Sequence, residues 1–120
     1  MSIRLRIIQV APKGGPIERI KAEPPKDYDD QMITELTTEE VIKFIDNKNL
    51  HLWTNVSFYT EVEGTSEVTD VTKYGDKRIR SLKNDTEEDN LLNLPPITLD
   101  AWEFPLDFEG LKNWIQRQLP

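Results

Sequence analysis

The chain has 120 residues with 15 basic and 22 acidic side chains, a net charge of −7, one histidine and no cysteine. That length suits one modest hydrophobic core, and the charge opposes tight binding to duplex nucleic acid. The missing cysteines remove disulfides, thiolate metal sites and a cysteine nucleophile. No apolar run approaches the roughly 18 residues a membrane helix needs.

Residues 2–10 predict a strand. Ile3, Leu5 and Ile7 alternate with Arg4 and Arg6, the period of two expected when one face is buried. The alternation breaks at Ile7 and Ile8, which suggests a bulge. The same stretch is too charged and too alternating for a signal peptide, so the cytoplasm is the expected compartment. Residues 12–16 (PKGGP) are a turn, and residues 17–22 (IERIKA) suit either a second strand of a hairpin or a helical turn. Residues 23–30 (EPPKDYDD) form a connector. Asp27, Asp29 and Asp30 lack the glycine and the later glutamate that a calcium loop requires, so no metal is expected there.

The clearest local signal follows. Thr37 and Glu40 have the spacing of a capping box, with Leu36 and Val41 placed as a hydrophobic staple. Val41, Phe44 and Ile45, with Ile42 beside them, form one apolar stripe facing a core. Residues 50–54 (LHLWT) predict a strand with Leu50 and Leu52 on one face, and His51 and Trp53 on the other. A further strand begins at Val56, Phe58 and Thr60, and residues 67–72 predict another. After a turn at residues 74–76, residues 77–83 predict a basic strand carrying Lys77, Arg78, Arg80 and Lys83. Residues 71–83 hold five basic residues and one acidic one, whereas residues 84–110 hold eight acidic and no basic ones.

An acidic turn at 85–89 and the closing run DNLLNLPP complete this part of the chain. The tail, residues 97–120, contains Trp102 and Phe104, then Phe108, Leu111 and Ile115 at helical spacing with Trp114 beside them. Asp107 is placed to cap that helix. The aromatic tail either packs on its own domain, residues 1–96, or forms a contact with a protein partner or a second copy. The whole predicts an α+β fold, a small antiparallel sheet of about five strands packed on one capped helix, with a C-terminal helix added.

This layout resembles a family of small bacterial and phage domains of unknown function. The residues that carry the likeness are the first strand (IRLRIIQV), the helix start at residues 38–42 (TEEVI) and the ending DNLLNLP at residues 89–95. The resemblance spans residues 3–96 and implies an architecture without an assigned activity.

The chemistry-bearing residues favour binding over catalysis. His51 is the one histidine available to a nucleophilic triad or a zinc site; Gly14 and Gly15 lack phosphate-loop spacing; and the paired carboxylates fall at a helix start and in a turn. No enzyme activity, cofactor or metal is expected. The leading expectation is a non-catalytic interaction domain acting through a protein partner or as a homo-oligomer, with Trp102, Phe104, Phe108, Leu111, Trp114 and Ile115 as the contact residues. A small anionic ligand or nucleotide, such as a sequestered defence signal, bound by Arg78, Arg80 and Lys77 beside Tyr59 and Trp53, is the alternative. An acidic inhibitor protein is the second alternative. No membrane partner is expected.

Overall fold

The computed structural model describes residues 2–14, 16–25, 32–46, 50–61, 67–75, 78–81, 90–98 and 104–118. Strand β1 is Ser2–Ala11, β2 Arg19–Glu23 and β3 Thr34–Thr37. Helix α1, Thr38–Asp46, follows at once, and the chain continues through β4, Asn55–Glu61, and β5, Val68–Asp70. These strands form one sheet in the order β3-β2-β1-β4-β5. Strands β6, Thr72–Tyr74, and β7, Arg78–Arg80, form a separate two-stranded ribbon. A 3-10 turn at Asn90–Asn93 and helix α2, Phe108–Gln116, complete the described elements. The architecture is α+β.

Several features differ from the sequence-based expectation. Residues 67–72, expected as one strand, divide at Val71 between β5 in the main sheet and β6 in the ribbon, and β3 was not expected. The sheet is mixed rather than antiparallel, because β1 and β4 run parallel from Ser2 opposite Asn55 to Arg6 opposite Tyr59. The reason is connectivity: α1 carries the chain back along the sheet, so β4 starts from the same end as β3 and β1. The other pairs in the sheet are antiparallel. Residues 50–54 are not a strand. Both edges of β4 are occupied, by β1 and β5, and His51 adopts a φ of 54° that interrupts extended backbone. Finally, the basic strand pairs with β6 and does not extend the main sheet.

Burial follows the alternation that the sequence predicts. Ile3, Leu5 and Ile7 from β1, Ile20 and Ala22 from β2, Leu36 from β3 and Val56 and Phe58 from β4 are buried together. The register shift between Ile7 and Gln9 is the bulge expected there, and it returns Val10 to the buried side opposite Ile20. The capping box is present: the Thr37 backbone N–H donates to Glu40 Oε1 at 2.9 Å, and the Glu40 N–H donates to Thr37 Oγ1 at 3.2 Å. Val41, Ile42 and Phe44 then face the sheet. Phe44 links three elements, with ring centroids 6.5 Å from Phe58 and 4.9 Å from Phe108.

The C-terminal segment is tied to the sheet twice. The Val10 N–H donates to the Pro95 carbonyl at 3.0 Å, and Ile97 N–H donates to the Val10 carbonyl at 3.1 Å. Beyond Arg6, the side of β1 that pairs with β4 is thereby occupied by residues 95–98. At the outer edge of the sheet, Leu106 N–H donates to Ile33 O at 2.8 Å and Glu35 N–H donates to Leu106 O at 3.1 Å. Such pairing covers an edge that would otherwise present open donors and acceptors. Asp107 caps α2 by accepting from the Gly110 N–H at 2.8 Å. Gly110 suits this approach, since a Cβ there would meet the Leu106 Cβ at 3.2 Å. No described helix is long and apolar enough to cross a membrane.

Candidate functional site

The sheet has two unlike faces. One is covered by α1 and α2, and its residues join the hydrophobic core. The other carries charged side chains from every strand of the sheet. At its centre the Arg6 guanidinium donates to Glu23 and, at 2.8 Å, to Glu61 Oε1. Only 13% of the Arg6 side chain is exposed, and its Nε is buried without a hydrogen-bond partner among the described residues. Burial by itself would lower the Arg6 pKa, but the hydrogen bonds and charges of Glu23 and Glu61 outweigh it and hold the guanidinium above its ordinary value.

Flanking this centre, Arg4 pairs with Asp70 at 2.8 Å and lies over the Tyr59 ring, 4.6 Å from its centroid. On the other side Arg19 reaches Glu35 at 3.3 Å. Lys21 is buried, and its Nζ donates to the Thr98 carbonyl at 2.9 Å. Gln9 and Thr98 complete the strip with the Thr98 N–H donating to Gln9 Oε1 at 3.0 Å. Alternation along β1 signals that Arg4 and Arg6 leave the core face. It does not signal their partners, because those come from β2, β4 and β5, and register is a tertiary property.

The residues singled out from the sequence are distributed over separate surfaces. Tyr59 lies beneath Arg4 on the charged face. Trp53 packs against the core and donates its indole N–H to the Ile115 carbonyl at 2.9 Å. Arg78 and Arg80 are exposed on β7, with Ile79 between them buried. Lys77 and Trp102 lie outside the described residues, as do the acidic turn at 85–89 and the aspartates at 27–30. Of the tail residues, Leu111, Trp114 and Ile115 are buried in the chain's own core and Phe108 is partly buried against it. Phe104 alone stands out among the described tail residues, 86% exposed. His51 is exposed, and among the described residues no cluster of three His, Cys, Asp or Glu side chains has the geometry to hold a metal ion.

A family model described as "Protein of unknown function (DUF3892)" matches residues 6–95. The chain belongs to the DUF3892 family. No curated protein and no solved structure matches it. The DUF3892 match runs from the middle of β1 to the Pro95 carbonyl that bonds Val10. It therefore includes Arg6, both of its glutamates, the capping box and the arginines of β7. Phe104, the strand-like contact of Leu106 and the whole of α2 lie beyond the DUF3892 match.

Proposed function

We propose that the protein is a non-catalytic interaction module that engages a protein partner, or a second copy of itself, through the segment leading into α2. The observation that carries this reading is the position of Phe104. The apolar side chains of α2 are used in the chain's own core, whereas Phe104 projects into solvent with 86% of its surface exposed. Two residues later Leu106 is fixed to the edge of β3 by backbone hydrogen bonds on both sides, and the Thr34 hydroxyl donates to the same Leu106 carbonyl at 2.7 Å. An aromatic side chain held next to an anchored backbone loses little freedom on docking, which is the property of an interface anchor.

The partner surface that fits is an apolar pocket with a cationic rim, because the exposed Asp107 and Glu109 follow Phe104 closely. A chain without cysteine gains no disulfide in an oxidising compartment, and the cytoplasm is the setting this reading assumes. A photo-crosslinking residue placed at position 104 in host cells tests it, together with native mass spectrometry of the purified chain. A discrete crosslinked protein, or a dimer abolished by Phe104→Ser with the unfolding midpoint unchanged, supports the proposal. A monomer that forms no crosslink at position 104 overturns it.

A further inference from the structure

Four residues after Phe104 the chain presents a second aromatic ring in a different setting. Phe108 packs on the buried Phe44 with ring centroids 4.9 Å apart, yet its side chain is only partly buried. Two lysines converge on this ring from different helices. The Nζ of Lys43, on α1, is 5.6 Å from the ring centroid, and the Nζ of Lys112, on α2, is 5.7 Å from it. Lys43 is exposed and makes no ion pair with a described residue. Lys112 reaches Glu109 at 3.8 Å, a loose contact that leaves the Glu109 side chain 71% exposed.

The chain thus carries both halves of a contact. One half is Phe104, which projects from the surface and leaves the Phe108 ring of its own chain uncovered, followed by the exposed carboxylates of Asp107 and Glu109. The other half is the Phe108 ring bordered by the ammonium groups of Lys43 and Lys112. An aromatic ring with acidic neighbours fits an aromatic ring with basic neighbours. Two copies related by a two-fold axis meet through the same patch, so each supplies its projecting half to the receiving half of the other. The net charge of −7 opposes this contact weakly, because charges more than about 8 Å apart are largely screened at physiological ionic strength.

We propose that the chain forms a two-fold dimer through this patch, with Phe104 of each copy lying on Phe108 of the other and Lys43 of each facing Glu109 of the other. The inference rests on the Phe104 docking reading and names its partner as a second copy. The contact needs no movement of α2, whose Leu111, Trp114 and Ile115 stay in the core of their own chain.

The test is sedimentation equilibrium of the full chain over a wide concentration range at physiological salt. A monomer–dimer equilibrium is expected, with dimerisation weakened at least about tenfold in Phe104→Ser by loss of an aromatic anchor at each of the two contacts. Lys43→Glu and Glu109→Lys should each weaken it as well, by placing like charges opposite one another. An equimolar mixture of these two variants should dimerise as the parent does, since each then meets an opposite charge at both contacts. A variant that had merely misfolded would not be rescued by mixing. A dimer indifferent to Phe104→Ser overturns the proposal, as does a mixture that stays monomeric. A parent that is monomeric throughout while position 104 crosslinks a different protein in host cells overturns the second copy as partner and leaves the docking reading standing. A monomer with no crosslink at position 104 overturns both.

Discussion

The indole N–H of Trp53 donates to the main-chain carbonyl of Ile115 at 2.9 Å, joining the irregular segment after α1 to the end of α2. Ile115 is fully buried and Trp53 is packed against the same core. The Ile115 carbonyl also accepts from the Gln118 N–H at 3.0 Å, so the indole is a second donor to it, brought from a distant segment to the last turn of the helix. Replacing Trp53 by Phe keeps much of the apolar contact and deletes the donor. The expected cost is about 1–2 kcal/mol, read as a lower urea midpoint with an unchanged slope. Faster amide exchange in the last turn of α2 should accompany it.

Phe44 is the side chain on which sheet, α1 and α2 meet. It is completely buried and touches aromatic rings on both sides. Phe44→Ala should cost about 3–5 kcal/mol, because the cavity is walled by three elements that cannot all move inward. For a domain of this size that is a large part of total stability. Phe44→Leu should cost much less, and equilibrium denaturation measures both. Similar losses for the two variants would mean that ring packing at this position matters more than cavity volume.

The capping box offers a smaller, local prediction. Thr37→Ala removes the acceptor of the Glu40 N–H while leaving Leu36 and Val41 in place. The expected loss is about 1 kcal/mol. Thr37→Ser should retain most of it, as the serine hydroxyl fills the same role. Chemical denaturation of the pair distinguishes the hydrogen bond from the bulk of the side chain.

Arg6→Met removes a cation that two carboxylates share and leaves Glu23 and Glu61 to repel one another. A cost of about 1–3 kcal/mol is expected. The pH dependence has a definite sign. The folded-state pKa of Arg6 is raised, so its contribution is complete below the unfolded pKa and lost only as pH rises through the folded one. For a guanidinium that window lies in strong alkali. Unfolding free energies of parent and variant should therefore differ by the same amount at about pH 7 and about pH 9. A difference that shrinks over this range would assign the stabilisation to some other group.

Local structure was legible where chain neighbours create it. The alternation of Ile3, Leu5 and Ile7 with Arg4 and Arg6 marks β1, its break marks the bulge, and Thr37 with Glu40 marks the start of α1. Asp107 and the spacing of Phe108, Leu111 and Ile115 likewise mark α2. Each signal depends on residues within about one turn or one pleat of each other, so the chain itself carries the information. Strand β3 was hidden because its four residues run straight into the helix cap, and the alternation of Thr34 and Leu36 is too short to register.

What the tertiary structure decided was everything that depends on which strand lies beside which. The direction of β4 follows from the passage of α1 between β3 and β4, and residues 50–54 are not a strand because both neighbours of β4 were already in place. The partners of Arg6, on β2 and β4, the strands that flank β1 in the sheet, were set by the same register. So was the division of the tail into buried Leu111, Trp114 and Ile115 and exposed Phe104. Local hydrogen bonding and periodicity act over a few residues and can be read along a chain. Strand order, register and the choice of buried face minimise the energy of contacts between distant segments, and only the assembled sheet determines them.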